Sequence, residues 1–191
     1  MRYLNKVRKR SIEALIQPKQ LISPTVKFRF ILILSLVSLC SIANAQVLSG
    51  QVFILSEQYD ENQCEIIAPC DCCATDLFFL TDKDFAMINR CLFNDTYYKG
   101  TYSIGQGKLT LTFKEKNVRE LVDEQTNKIT NEMENTKIEP YVFSVDVCKK
   151  NIHLSHLTVK DFSHGLRYTT EKEKELKIKL YKTEAWRLIS K

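Results

Sequence analysis

The sequence predicts an all-β fold, an antiparallel meander of about eight strands that forms a small barrel or a tightly curved sheet. One segment alternates strictly between apolar and polar residues, and several other short runs are rich in β-branched and aromatic residues. Short polar turns separate these runs. No amphipathic helix pattern alternates with them, which argues against a doubly wound α/β fold.

The clearest predicted element is a hairpin. Residues 108–114 alternate strictly, so that the two leucines and the phenylalanine lie on one face, as in a half-buried strand. Residues 96–104 form the preceding strand and place Tyr98 and Tyr102 on one side. The intervening residues, 105–107, include two glycines, which tolerate positive φ and therefore suit a tight loop.

The other predicted strands have the same composition and follow one another at short spacing. Asp82 and Lys83, and later Lys149 and Lys150, supply polar turns between neighbours. Closing the meander into a barrel removes its exposed edges, so a barrel is its simplest arrangement. These strands cover residues 51–55, 76–81, 85–88, 141–147, 151–159 and 176–181.

Residues 115–137 are polar and charged and interrupt the meander. Their apolar residues, among them Val118, Leu121, Ile129 and Met133, are spaced too irregularly to choose between a long hairpin and a short helix. We expect a solvated excursion from the domain, with a binding lid as the alternative.

The chain begins with the pattern of a secretory signal. A short basic stretch, 27–30, precedes the almost purely apolar run 31–42, and Ala43 and Ala45 follow with small side chains. This order of regions is typical of a signal peptide that is cleaved after Ala45, so that Gln46 begins the mature chain. We therefore expect a protein that is secreted or resides in the periplasm or cell envelope.

Residues 1–45 form this targeting segment, whose n-region is unusually long because residues 1–26 precede the basic stretch 27–30. A transmembrane anchor is disfavoured because the apolar stretch 28–42 is shorter than the ~20 residues that span a bilayer. Cys40 offers an alternative, because an acylated cysteine begins mature lipoproteins, although Leu39 stands where a small residue is usual. Membrane association is expected only if Cys40 is lipidated.

The basic character of the chain belongs to its targeting segment. Residues 1–45 contain eight of the 28 Lys and Arg residues and one of the 23 Asp and Glu residues. Residues 46–191 therefore carry 20 basic and 22 acidic side chains, a net charge of −2. This charge argues against nucleic acid as a partner, and the length suits a single β-rich domain.

Six cysteines remain after removal of the targeting segment, an even number that predicts a disulfide framework in an oxidising compartment. Six cysteines allow 15 pairings, and the sequence does not choose among them. Three thiols within four positions also suit a soft metal ion, so copper or zinc at Cys70, Cys72 and Cys73 is the alternative. The disulfide candidates are Cys64, Cys70, Cys72, Cys73, Cys91 and Cys148.

No catalytic constellation is visible, and we do not expect an enzyme. The chain contains no nucleophile elbow, no H-E-x-x-H motif and no glycine-rich phosphate loop. His153 and His156 would share one face of a helix, but three residues apart on a strand they face opposite sides. With His164, they are expected to be surface or hydrogen-bonded polar residues, and no cofactor is predicted.

Five short motifs follow one another from the cysteine cluster to the hairpin. They are Pro69-Cys70-Asp71-Cys72-Cys73, Leu77-Phe78-Phe79-Leu80, Phe85-Ala86-Met87, Lys99-Gly100-Thr101-Tyr102-Ser103-Ile104 and Leu109-Thr110-Leu111. Over about residues 64–114 this pattern resembles the NlpE N-terminal family, small lipocalin-like barrels of the bacterial envelope. The resemblance implies copper handling or envelope-stress sensing through Cys70 and Cys73, and lipocalin-like barrels imply a small apolar ligand in the barrel mouth.

The sequence therefore predicts an exported, disulfide-stabilised, non-enzymatic β-barrel that binds a small apolar ligand or an envelope protein. A copper-binding, zinc-binding or stress-sensing protein that uses the cysteine cluster is the alternative. A pocket of a few hundred Å³ would favour the small ligand. A barrel filled by side chains such as Phe79, Tyr98, Tyr102 and Phe143 would favour the protein partner.

Overall fold

The computed structural model describes residues 48–67, 73–158 and 163–191, apart from the side chain of Cys73. Most of these residues belong to one ten-stranded antiparallel sheet, and two short strands form a separate ribbon. The strands are β1 (Val52–Ser56), β2 (Tyr59–Asp60), β3 (Glu65–Ile66), β4 (Cys73–Phe79), β5 (Asp84–Cys91), β6 (Asn94–Gly105), β7 (Lys108–Phe113), β8 (Lys116–Val122), β9 (Ile129–Asn135), β10 (Tyr141–Cys148), β11 (Asn151–His156) and β12 (His164–Arg167).

Eight of these strands close into an antiparallel barrel, which confirms the predicted fold class. Around the barrel, β1, β4, β5, β6, β7, β10, β11 and β12 follow one another in chain order, each paired with the next. The pairing of β1 with β12, in which Phe53 lies opposite Arg167, completes the ring. A meander closed in this way has no free edge within the ring.

The polar excursion 115–137 forms the hairpin β8–β9, the extended alternative of the two that the sequence allowed. Strand β6 joins this hairpin to the barrel, because it pairs with β7 near one end and with β8 near the other. Gly100 lies at this change of partner. A Cβ atom there would lie 2.2 Å from the carbonyl oxygen of Thr112 and 2.6 Å from the ring of Phe85, so only glycine fits.

The interior of the barrel is filled with side chains. Phe79 contacts Phe53 edge-to-face at 5.5 Å between ring centroids and Tyr102 at 4.8 Å. The Tyr102 hydroxyl donates to the carbonyl of Thr81 at 2.8 Å, so its polar end is paired. The buried interior residues are Leu48, Phe53, Leu55, Leu77, Phe79, Phe85, Met87, Tyr102, Leu109, Leu111, Phe143 and Leu154.

The strand predicted at residues 176–181 is wrong. This segment lies in helix α1 (Thr170–Lys182), which the short helix α2 (Glu184–Ile189) follows. Leu176 and Leu180, four residues apart, face the barrel together, whereas Ile178 and Tyr181 are exposed. The eighth barrel strand is instead β12, which the sequence did not predict.

The helices cover one side of the barrel wall with a second apolar cluster. Glu173 is buried there between Arg167 at 3.2 Å and Lys177 at 2.7 Å, and Lys177 also donates to the carbonyl of Gly50. None of the helices in the described residues is long and apolar enough to cross a membrane. The cluster consists of Val52, Phe78, Ala86, Ile88, Tyr97, Val118, Leu176, Leu180, Ala185 and Ile189.

Candidate functional site

The ribbon β2–β3 and its flanking residues, 57–67, form a strap over the outer face of the barrel. Strand β3 contacts β12, and the hydroxyl of Ser163 donates to the carbonyl of Glu57 at 3.1 Å. At the tip of the strap, Lys149 donates to the carbonyl of Gln63 at 2.8 Å. The strap therefore crosses the part of the wall formed by β10, β11 and β12.

The tip of the strap is shaped by its own sequence. The Asp60 carboxylate accepts hydrogen bonds from the backbone N–H groups of Asn62 at 2.8 Å and Gln63 at 3.1 Å, the pattern of an Asx turn. Cys64 then adopts a positive φ of 57° and is buried. This turn aims the Cys64 side chain at the barrel wall.

A disulfide joins Cys64 in the strap to Cys148 at the end of β10. Their Cα atoms lie 5.9 Å apart, within the usual range for a bridge, and 84 positions separate them in the sequence. Cys91 is also disulfide-bonded, and it lies directly opposite Cys73 in the paired strands β4 and β5. The prediction of a disulfide-stabilised barrel is confirmed to this extent.

Two histidines lie side by side beneath the strap. The Tyr59 ring stacks on His153 at 4.2 Å and on His164 at 4.9 Å, with interplanar angles of 14° and 23°. The two imidazole centroids are 5.4 Å apart, too close for Tyr59 to lie between them. Both imidazoles therefore pack against the same face of the phenol ring.

Strand pairing explains this arrangement. In β11, Leu154 points into the barrel, so its neighbour His153 points outward. His153 pairs with Leu166 of β12, and His164 is two residues before Leu166, so His164 shares the outward face. The strap then places Tyr59 over this diagonal pair.

Three polar atoms of this cluster are buried and have no hydrogen-bond partner. They are the Tyr59 hydroxyl, Nε2 of His153 and Nδ1 of His164. The other nitrogen of His153, Nδ1, lies 3.4 Å from the Ser155 hydroxyl. Since buried polar atoms are almost always paired, three orphans in one place distinguish this cluster from an ordinary packed surface.

Burial keeps the two imidazoles neutral. It lowers the pKa of His153, which the neighbouring His164 lowers further, while Asp146 and Glu61 oppose the shift. Burial also lowers the pKa of His164, against the attraction of Glu61. For Tyr59, burial and then Glu61 and Asp60 raise the pKa. Each ring therefore favours its uncharged form at neutral pH.

His156 lies apart from this cluster because it faces the barrel interior. Its ring packs against Phe143 at 4.4 Å and Tyr141 at 5.2 Å, and its Nδ1 accepts the backbone N–H of Thr158 at 3.0 Å. His153 and His156 thus face opposite sides of the wall. The neighbour of His153 is His164, which sequence reasoning missed because it did not predict β12.

A second candidate region lies at one end of the molecule, where large apolar side chains meet water. Leu92 and Phe93 form the two-residue turn between β5 and β6 and are 73% and 45% exposed. Val122 donates its N–H to the carbonyl of Phe93 at 3.0 Å and pairs with Ile129, which is 55% exposed. We name Leu92, Phe93 and Ile129 the apolar tip.

A shallow pocket lies at the other end of the barrel, with a volume of about 160 Å³. Leu48 forms part of its floor and is itself buried in the barrel interior. The pocket is smaller than the few hundred Å³ of a typical ligand site. It is lined by Leu48, Ile104, Gly107, Val145, Asp146, Val147 and Ile152.

Some of the cysteines predicted to be functional lie outside the residues that the structure describes. Cys70 and Cys72 lie outside the described residues, as do Cys40 and the cleavage position Ala45–Gln46. Within residues 48–67, 73–158 and 163–191, no group of three or more His, Cys, Asp or Glu side chains is placed to hold a metal ion. The metal site at the cysteine cluster stays a prediction.

In a comparison with known proteins, no family model, no curated protein and no solved structure matches the chain. The resemblance to the NlpE N-terminal family therefore stays a prediction.

Proposed function

We propose that this chain is a non-enzymatic binding protein of an oxidising compartment, in which the barrel is a rigid scaffold that presents a surface to a partner protein. The observation that carries this proposal is the filled interior of the barrel. Aromatic rings such as Phe53, Phe79 and Phe143 occupy the space that a lipocalin-like barrel would give to a ligand.

The filled interior favours a protein partner over a small apolar ligand, the two partners that the sequence left open. A small apolar ligand needs a concave site that buries most of its surface. The pocket near Leu48 holds only about 160 Å³ and opens at the surface. A protein partner needs no cavity, because it binds through a surface patch with a few well-packed apolar anchors.

The apolar tip is the surface that best fits a protein partner. Two-residue turns between strands usually carry Gly, Asn or Asp, so Leu92 and Phe93 are costly choices for a turn in water. Cys91, immediately before them, is disulfide-bonded, and Val122 holds the carbonyl of Phe93. The tip is therefore preorganised, which lowers the entropy lost on binding. The partner that fits it presents an apolar pocket for Leu92 and Phe93.

The disulfides support the proposed location. Disulfides persist in secreted and envelope proteins and are rare in reducing compartments. The bridges at Cys64–Cys148 and at Cys91 therefore favour a secreted, periplasmic or envelope location.

Site-specific photocrosslinking in the native host tests this function. A photoreactive residue at position 92 is compared with one at 147, because Val147 is equally exposed, at 76%, but lies beside the shallow pocket. We expect one protein adduct at position 92. Purified with the chain, this partner binds the Phe93→Ser variant at least tenfold more weakly and the Val147→Ser variant unchanged.

Two outcomes would overturn the proposal. One is a partner whose affinity for the Phe93→Ser and Val147→Ser variants is the same. The other is stoichiometric binding of a fluorescent fatty acid that is lost when residues at the barrel mouth are substituted without loss of folding. This result would establish a small-ligand protein instead.

A further inference from the structure

Strand β9 lies at the end of the ten-stranded sheet, outside the closed ring. Among the described residues it pairs on one side only, with β8. We propose that β9 accepts an extended segment of the partner protein as an additional antiparallel strand, in which apolar and basic residues alternate. This inference rests on the proposed function, because Ile129 of the apolar tip is the first residue of β9. It names the form of the partner at that surface.

The backbone of β9 directs hydrogen-bonding groups away from the sheet. Thr136 donates its N–H to the carbonyl of Glu115 at 2.7 Å, and Asp123 donates to the carbonyl of Lys128 at 3.0 Å. Hydrogen-bonded pairs alternate along an antiparallel ladder, so every second residue between these two bonds leaves its N–H and C=O pointing away from β8. No hydrogen bond within the described part of the chain uses these outward groups. The outward positions are 129, 131, 133 and 135.

Strand β9 lacks the features that usually protect a sheet edge. Its seven residues include neither lysine nor proline. Its register with β8 runs without a bulge from Lys116–Asn135 to Val122–Ile129. Natural edges are commonly blocked by such residues or by a bulge, because an open edge pairs with another chain. A regular, unblocked edge is the template that strand addition uses.

The two faces of β9 specify the side chains of the added strand. On one face Ile129 and Met133 are 55% and 44% exposed, so apolar residues opposite them would be covered and would cover them. The other face carries Glu132 and Glu134. Arg119 of β8 pairs with Glu134 at 3.3 Å, whereas Glu132 forms no ion pair with another described residue. A basic residue opposite Glu132 supplies this counter-charge, so apolar and basic residues alternate in the added strand.

A second copy of this chain fits the edge less well than a basic strand. Two β9 strands that overlap over all seven residues in antiparallel register place Glu132 of one copy directly opposite Glu132 of the other. Like charges directly opposite each other are destabilising. The charge of the edge therefore favours a different chain as the occupant.

A short synthetic peptide that alternates valine and lysine tests the edge, with binding followed by amide NMR. We expect hydrogen exchange to slow at residues 131 and 133, whose N–H groups point outward, and to change little at 130 and 132, which already bond to β8. Methylating the valine backbone nitrogens, which face β9 in the antiparallel arrangement, should weaken binding at least about tenfold. Methylating the lysine nitrogens, which point to water, should leave the affinity unchanged.

The variant Glu132→Lys tests the charge of the edge. It should bind the lysine peptide about fivefold more weakly, and it should bind more tightly, by a similar factor, a peptide in which glutamate replaces each lysine. Loss of folding cannot produce this reversal of preference. Glu171→Lys, at an exposed position of α1, makes the same change in net charge away from β9 and should alter neither affinity.

The inference is overturned if the peptide gives no protection at residues 131 and 133, or if methylation of the lysine nitrogens is the change that weakens binding. Protection that appears on raising the protein concentration alone would also overturn it, because the edge would then take a second copy. The proposed function is judged separately by Phe93→Ser, which lies outside β9. A partner captured at position 92 and weakened by Phe93→Ser leaves that function intact even where the edge binds nothing.

Discussion

Two sides of the same barrel wall are covered in different ways. The outer face of β1, β4, β5 and β6 lies under helices α1 and α2, which bury a continuous apolar cluster that includes Val52, Leu176 and Leu180. The outer face of β10, β11 and β12 lies under the narrow strap, which is held by a disulfide, an aromatic stack and hydrogen bonds from Ser163 and Lys149.

The two coverings differ in the interactions that hold them to the wall. Apolar burial under the helices stabilises the fold by an amount that scales with buried area and requires no particular ligand. The strap is fastened instead by the Cys64–Cys148 disulfide and by hydrogen bonds from Ser163 and Lys149 to its backbone carbonyls. Its attachment therefore depends on a few specific bonds rather than on a continuous apolar cluster.

Removal of the Cys64–Cys148 bridge should have the largest effect. The double variant Cys64→Ser, Cys148→Ser avoids a leftover thiol, and a bridge that closes so long a loop stabilises by roughly 4.6 kcal/mol in the chain-entropy model. Urea unfolding measures the loss. Amide exchange should show residues 57–67 unprotected while the helices keep their protection, and equal loss of protection on both sides would contradict the comparison.

Truncation under the helices should come next. Leu180 is fully buried, so Leu180→Ala should cost about 2–5 kcal/mol through lost burial and a cavity. Lys179→Ala, at an exposed position in the same helix, is the control and should change the free energy of unfolding by less than about 0.5 kcal/mol. Amide exchange in residues 57–67 should be unchanged in Leu180→Ala, and a change would show that the two coverings are coupled.

Acid should destabilise the fold through His156, which lies on the inner face of the wall that the strap covers. Burial lowers the pKa of His156, at the inner face of β11, below its ordinary value of about 6.5. Between that ordinary value and the lowered one the unfolded chain binds more protons, so the free energy of unfolding falls as the pH falls through this window. Above it, His156 contributes no pH dependence.

Urea midpoints measured in a chelator from pH 7.5 to 5 test this expectation. The wild type should lose stability over that range, and His156→Asn should lose less. A variant with the same pH profile as the wild type would rule out His156 as a source of the dependence.

Neutralising one carboxylate on the helix side should have the smallest effect and the opposite sign. Glu120 lies directly opposite Asp95 in the ladder, and burial, together with Asp95, raises the pKa of Glu120. Like charges opposite each other are unfavourable, so Glu120→Gln should stabilise by about 0.2–1 kcal/mol at pH 7. The gain should vanish near pH 4, where Glu120 is protonated, and Glu124→Gln in the exposed turn should show no gain.

Much of the fold could be predicted because alternation survives in most barrel strands. In residues 108–113 every second side chain is apolar and enters the core, and the structure places them so. Strand β12 was not predicted because neither of its inward positions is apolar: Gly165 has no side chain to mark a face, and Arg167, opposite Phe53, is charged. A Cβ there would lie 2.8 Å from Leu55 Cδ2, so close packing of the barrel requires the residue that hides the pattern.

The helix and the candidate site could not be predicted from the sequence, for a related reason. The spacing of the apolar residues 176, 178, 180 and 181 is compatible with both a strand and a helix. Only the folded protein shows that residues 176 and 180 are buried together, as they are on one face of a helix. The cluster of Tyr59, His153 and His164 joins three segments through the strap and the pairing of β11 with β12. No local pattern signals such a meeting.

The closure of the barrel also sets an order of assembly. Every neighbouring pair in the ring except one joins strands that follow each other in the meander, so these ladders form from local contacts. The exception is β1 with β12, which brings together Phe53 and Arg167 from opposite ends of the domain. We therefore expect this last ladder to limit the folding rate. A chain that emerges from a ribosome therefore keeps its barrel open until β12, the final strand, has followed, although Cys148, the partner of the strap cysteine, emerges earlier.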